Sequence, residues 1–359
     1  MKKNLLFIAM AALTIVSCSK DQNKSINRGN AIDFRTAVET RAGETTTANL
    51  TSIYVDAIDA NGGNLFALGQ EFTKNGAFFT SNPLYYWPSQ DSEVSFYAYA
   101  PSATDLAATV TINNTTKELK DYAPASVTGK QKDFITANAK GKKSVNETIG
   151  VPLKFDHRLS QIEVKAKNSN TGYTYKVVGM RIGKAISKAT FNFETAAWTL
   201  GTDKANYVAS ESDYTAAKTL DATAASMMLA ANDNAMLIPQ QLVAWDSAND
   251  KTNTKGGSYI ALKLQITAAG GARIYPSTTV GEYDWVAVAV DTKWEAGKKY
   301  VYTLDFTNGA GKVDPEKPTP TDPTDPFNPG DDILGSPIKF TVEVTEWDTT
   351  TTPEINVGM

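Results

Sequence analysis

The sequence is poor in the residues that catalysis and cross-linking draw on. Its 359 residues include one cysteine, Cys18, and one histidine, His157. A single thiol excludes any internal disulfide, so the fold must hold by packing. One histidine and one cysteine are also too few for the usual nitrogen and sulfur ligand sets of zinc. No Gly-x-Ser-x-Gly elbow accompanies His157 to make it the base of a hydrolase triad. Its setting, Phe155-Asp156-His157-Arg158-Leu159 at the entry to a strand, fits a structural hydrogen bond at a turn. Charge of one sign is lacking too: 35 basic against 39 acidic residues leave a net −4, which supplies no basic stripe for nucleic acid. Gly270-Gly271 has no phosphate-loop spacing. Asp322, Asp325, Asp331 and Asp332 have no EF-hand spacing and are expected as solvated charges. The carboxylates are scattered rather than paired as glycosidases need. Neither an enzyme nor a cofactor is expected.

Long apolar runs are also scarce. The one at residues 5–16 follows Lys2 and Lys3 and ends at Ser17-Cys18-Ser19. It is shorter than the ~20 residues that span a bilayer, and its basic start and short apolar middle are those of a secretory signal. A cysteine just past the cut suits the lipid acceptor of a bacterial lipoprotein, although Val16 is bulkier than usual there. Residues 1–17 are therefore expected as a signal peptide and Cys18 as a lipidation site. The remaining length exceeds what one core usually supports, about 250–300 residues at most, so two domains are expected.

What is present is β pattern. Ile162, Val164 and Ala166 alternate with Glu163, Lys165 and Lys167, the period of a half-buried strand. Ile260, Leu262, Leu264 and Ile266 do the same, as do Tyr300, Tyr302, Leu304 and Phe306. Turn signals such as Asn61-Gly62-Gly63, Asn75-Gly76 and Asn308-Gly309 separate the runs. Many short strands with regular turns favour β-sandwiches. The alanine-rich residues 214–228 are the best candidate for a short helix or an ordered loop. A polar stretch at 168–172 is the expected boundary, giving domains at 42–170 and 171–312.

Residues 315–329 hold six of the fifteen prolines. Proline fixes φ and cannot donate to a ladder, so 313–332 is expected as an extended, semi-rigid linker. Beyond it, in 333–359, Ile338, Phe340, Val342 and Val344 form the apolar face of one alternating strand. Tyr85-Tyr86-Trp87 is the densest aromatic cluster and the candidate platform for a glycan or host ligand, although such clusters more often pack cores. Arg35 and Arg41 lie where a short strand, 31–37, runs into a threonine-rich connection. Exposed connections of that kind are where proteases cut.

Tyr85-Tyr86-Trp87-Pro88 followed by Val94-Ser95-Phe96-Tyr97-Ala98-Tyr99-Ala100-Pro101 resembles the fimbrillin-like family of Bacteroidetes. So do Gln131-Lys132-Asp133-Phe134-Ile135, Leu237-Ile238-Pro239-Gln240-Gln241, Trp294-Glu295-Ala296-Gly297-Lys298-Lys299-Tyr300 and the closing Val342-Glu343-Val344-Thr345-Glu346-Trp347, in family order. The resemblance implies an all-β chain of two transthyretin-like β-sandwich domains in tandem. It also implies export as a lipoprotein to the outer membrane and cell surface, and a structural role in type V fimbriae beside other fimbrial subunits. It further implies that an arginine-specific cut, at Arg41 or Arg35 here, removes a strand of the 18–41 leader. A neighbour's strand then replaces it by β-augmentation. Ile338, Phe340, Val342 and Val344 are the expected donor face. Alternatively that strand completes its own domain, and the tail 349–359, with Ile355 and Val357, donates instead.

Overall fold

The computed structural model describes residues 31–38, 50–66, 68–209, 214–228, 234–278, 281–321, 324–347 and 354–355. Among them α-helix is confined to one turn, Lys143–Asn146.

The first half supplies β1 (Phe34–Val38), β2 (Ser52–Ile58), β3 (Gln70–Asn75), β4 (Phe78–Thr80) and β5 (Val94–Ala100). It continues with β6 (Thr109–Ile112), β7 (Lys117–Tyr122), β8 (Ile135–Gly141) and β9 (Val151–His157). Seven of these close into a barrel in the order β1-β4-β3-β2-β5-β8-β9. The alternation in β9 shows why: Val151, Leu153, Phe155 and His157 are buried while Pro152, Lys154 and Asp156 face out. The interior is filled by Ile53, Val55, Phe72, Phe96 and, from β9, Val151, Leu153 and Phe155.

The second half begins with β10 (Ser160–Lys167), β11 (Tyr173–Ile186), β12 (Ala189–Asn192), β13 (Ala197–Leu200) and β14 (Lys204–Ala209). Next come the short β15 (Lys218–Thr219), β16 (Ala225–Ser226) and β17 (Ala235–Leu237), then β18 (Tyr259–Ala268) and β19 (Arg273–Tyr275). It ends with β20 (Asp284–Ala289), β21 (Lys298–Asp305), β22 (Lys312–Val313), β23 (Lys339–Glu346) and β24 (Glu354–Ile355). One sheet runs β16-β10-β21-β23-β24 with β17 beside β10. A second runs β14-β11-β18-β20-β22, with β15 beside β11 and β19 beside β18. Ile162, Val164, Leu262, Leu264, Trp294 and Tyr302 belong to the one core that these sheets enclose.

Strand β10 lies parallel to β21 from Gln161↔Lys299 to Lys167↔Asp305. Sheet membership therefore changes between His157 and Ser160, upstream of the polar stretch at 168–172. The halves are also joined by a third sheet, β13-β12-β7-β6, in which Phe191 of β12 registers with Leu119 of β7. Tyr122, Phe134, Phe191, Phe193 and Trp198 share one aromatic cluster across that seam.

Residues 214–228, expected as a short helix or an ordered loop, take the second form: the two-residue β15 and β16 stand in otherwise irregular chain, and Lys218 Nζ donates to the carbonyls of Ser226 and Met228, tying the segment across itself. Another expectation is corrected. The proline-rich 313–332 is a strap laid on the second sheet, not a free linker. Within it β22 pairs with β20 through Val286↔Val313. Arg181 pairs with the buried Asp314, Lys317 Nζ lies 2.8 Å from the buried Asp325, and Phe327 packs on Tyr275 at 5.0 Å. Asp325 is thus an interior ion-pair partner rather than a solvated charge, whereas Asp331 meets Lys251 and Asp332 meets Lys312 at the surface. Asp322 lies outside the described residues.

The barrel also holds a buried carboxyl. Asp56 on β2 is 1% exposed and accepts a 2.9 Å hydrogen bond from the Gly69 N–H. Burial pushes it from its ordinary 3.8 up to about 6, against that hydrogen bond. The folded state therefore holds a proton that the unfolded chain has released, and stability falls as pH rises from about 4 to about 6. At neutral pH the cost is on the order of 2–3 kcal/mol. Urea unfolding of the wild type should show this decline, and Asp56→Asn, which keeps the acceptor for Gly69, should flatten it.

Candidate functional site: the strand that closes the barrel

Barrel closure depends on five residues. Strand β1 lies parallel to β9 in the register Phe34↔Val151 to Val38↔Phe155, and antiparallel to β4 through Phe34↔Phe79. Its approach is fixed by the Ile32 N–H donating to the Tyr85 carbonyl and the Val151 N–H donating to the Asp33 carbonyl, both at 2.8 Å. Ala31, Ile32 and Phe34 are at most 1% exposed. The Phe34 ring meets Phe72 edge-on at 4.8 Å and Phe96 at 5.2 Å, the favoured geometry for aromatic pairs. Gly150, just before β9, sits at φ +70, where a Cβ would come within 3.0 Å of the Phe78 ring and 3.3 Å of the Asp33 carbonyl. Only glycine lets the two strands start side by side.

The partners of β1 depend on it in turn. Strand β8 registers with β9 at only two positions, Ile135↔His157 and Thr136↔Asp156. Strand β4 has three residues. Pro152 in β9, opposite Arg35, offers no N–H to a ladder, and proline is ordinarily confined to sheet edges. With β1 gone, β9 and β4 would be open edges above a groove lined by Phe72, Phe79, Phe96 and Val151. Such an edge is a template for another strand.

Of the arginines, Arg35 is exposed but sits within the β1 ladder. Arg41 and Cys18 lie outside the described residues. The three aromatics do not share one exposed face. Trp87 is 6% exposed and meets Phe96 edge-on at 5.9 Å, and Tyr85 packs on Phe66 at 4.7 Å with its hydroxyl donating to Gln70 at 2.9 Å. Of the three, Tyr86 is the one that faces solvent, at 57%, where it makes an isolated bridge to Ala31.

The other sequence-marked strand is in its own chain's sheet. Strand β23 pairs with β21 at eight positions, Lys298↔Glu346 through Asp305↔Lys339. Ile338 and Val342 are buried, and Phe340 and Val344 pack against the same core. In the single chain these four residues thus belong to the sheet and core of the second half. Trp347 ends the strand 4% exposed, stacked on His157 at 4.4 Å with 9° between the rings. His157 Nδ1 is 2.9 Å from Asp133. The structural role expected of His157 is therefore a hydrogen-bonding and stacking contact at the seam, visible only when residues far apart in sequence meet. Beyond Trp347 the tail rejoins the sheet at two positions, Val342↔Ile355 and Glu343↔Glu354. Among the described residues no group of three or more His, Cys, Asp or Glu side chains is placed to hold a metal ion.

The chain matches the fimbrillin-like family over residues 37–322. It is similar to the fimbrium subunit Fim1C of Phocaeicola vulgatus, 24% identical, over 87% of this chain and 94% of that protein. Its fold is similar to the crystal structure of a fimbrial protein from Bacteroides vulgatus, with a TM-score of 0.59 and 16% identity over 88% of this chain and 99% of that one.

Truncating Phe34 tests how far the barrel rests on β1. Phe34→Ala should lower unfolding stability by about 3–5 kcal/mol, the usual cost of emptying an aromatic core site. Denaturant titration of the uncleaved chain measures it.

Proposed function

The chain belongs to the fimbrillin-like family and has a fimbrial structural role, and on that footing we propose that it polymerises by exchanging β1 for a strand of the next subunit. The observation that carries the reading is the placement of β1: five residues long, led in by the buried Ala31, Ile32 and Phe34, and in register with β9 from Val151 to Phe155. The precursor is exported as a lipoprotein through Cys18 to the outer membrane and cell surface. Cleavage follows Arg41 rather than Arg35. A protease binds its substrate as an extended, unpaired segment, and Arg35 is already committed to the β9 ladder. A cut after Arg41 frees all of β1, whereas one after Arg35 would leave three of its residues in the groove.

The donor is the tail at 349–359. Withdrawing β23 would break eight register pairs and uncover Ile338, Val342 and Trp347. Apolar side chains of that size are each worth about 1.5–3 kcal/mol when buried. Among the described residues the tail meets its own sheet at two positions, and it carries Ile355 and Val357 for the vacated groove. A glycan-binding reading loses its support because Trp87 and Tyr85 are committed to packing.

Treating the purified precursor with an arginine-specific protease should convert monomer into ladders on native gels. Arg41→Ala should stay monomeric, and a chain lacking 349–359 should be cut yet not polymerise. Ladders without cleavage, or a cleaved wild type that remains monomeric, would refute the exchange. Ladders from the tail-less chain would return the donor role to β23.

A further inference from the structure

The strap carries a buried constellation that its structural role does not require. Lys317 Nζ lies 2.8 Å from Asp325 Oδ2 and 3.4 Å from Asp284 Oδ2, and the three side chains are 6%, 3% and 15% exposed. Each carboxylate is oriented by the backbone: the Phe327 N–H donates to Asp325 Oδ1 at 3.1 Å, and the Trp285 N–H to Asp284 Oδ1 at 2.8 Å. Asp325 Oδ2 thus faces the amine directly, while Asp284 lies between the amine and the Tyr275 hydroxyl. The Phe327 ring centre is 6.0 Å from Nζ, and Tyr275 packs on that ring. Pro318 follows the lysine and Pro326 follows the aspartate, so φ is fixed beside both reacting residues.

We propose that Lys317 and Asp325 join in an intramolecular amide, with Asp284 carrying the proton. Along the 2.8 Å contact the ammonium proton passes to Asp325, giving a neutral amine and a carboxylic acid. Nζ attacks Cγ of Asp325, and Asp284 accepts the proton that the nitrogen sheds. Asp284 then returns it to the departing hydroxyl. One N–C bond forms, one C–O bond breaks, and one water leaves through the adjoining cleft of about 480 Å³. No oxidant or activating group is needed. Two effects drive the step. A buried ion pair carries a desolvation penalty that a neutral amide does not. Reactants held in contact also react with effective molarities that reach about 10⁵–10⁸ M.

The product is a closed ring inside the strap, which keeps that segment from being drawn out straight. The inference does not depend on strand exchange, and it survives if that fails. The test is the mass of the tryptic peptide 313–339 from the folded, full-length chain, which stays whole because Lys317 precedes proline. The wild-type peptide should be lighter by one water, with no backbone fragments released between 317 and 325. Lys317→Arg and Asp284→Asn, checked as folded by circular dichroism, should give the full mass. A wild-type peptide at full mass after prolonged incubation would overturn the proposal, as would loss of water that persists in Lys317→Arg. Loss that persists in Asp284→Asn would remove Asp284 from the step.

Discussion

The N-terminal barrel is closed by one aromatic contact set, the seating of Phe34 between Phe72 and Phe96. The other barrel strands reach their neighbours through hairpins or long ladders, such as β5 against β8 from Val94↔Gly141 to Ala100↔Ile135. Strand β1 comes from far away in the chain and lies parallel to β9, so no tight turn enforces its register. Side chains must do so, and Ala31, Ile32 and Phe34 do it by filling the space between β9 and β4. A strand held by burial rather than by connectivity can be replaced by any strand that fills the same space. That property is what the proposed strand exchange relies on.

The two halves are coupled more tightly than tandem domains on a tether. The sheet β13-β12-β7-β6 crosses the seam through Ala189↔Tyr122, Phe191↔Leu119 and Asn192↔Glu118. The aromatic cluster around Phe134 backs it, with Phe191 at 5.2 Å and Trp198 at 6.0 Å. The His157–Trp347 stack adds a contact between the last barrel strand and the end of β23. Three separate contacts make hinge motion between the halves costly. A pull on the chain's end would reach the barrel through packed strands rather than through a flexible joint.

Much of this was legible in the sequence where the physics is local. The alternation in 160–167, 259–268 and 298–305 marked β10, β18 and β21, because a pleated strand buries every second side chain. What was not legible depends on partners distant in the chain. Alanine content in 214–228 left a short helix and an ordered loop both open, and the hydrogen bonds of Lys218 go with the second. Proline content did not locate the strap, since Asp314 and Asp325 carry no mark of the cations they meet. The parallel pairing of β1 with β9 spans more than a hundred residues and has no sequence signature of its own.

The strap's anchorage bears on how the assembly would carry load. A free proline-rich linker would lengthen by roughly 3.3 Å for each residue drawn straight, so a subunit joined through its C-terminus would yield there first. Instead the segment before β23 is fixed at Asp314, Asp325 and Phe327, and β23 is itself held by the full β21 ladder. In the assembly proposed above, tension arriving through the tail meets β23 at Glu346, where the ladder with β21 begins at Lys298. Force along the strand axis then loads all eight register positions together in shear instead of opening them one after another. Trp347, clamped on His157 at the point where the tail leaves the sheet, blocks the peeling mode that would otherwise be easier. In that proposed assembly the exchanged strand, β1, and the strand that takes the load, β23, lie in different sheets, so releasing one leaves the ladder of the other intact.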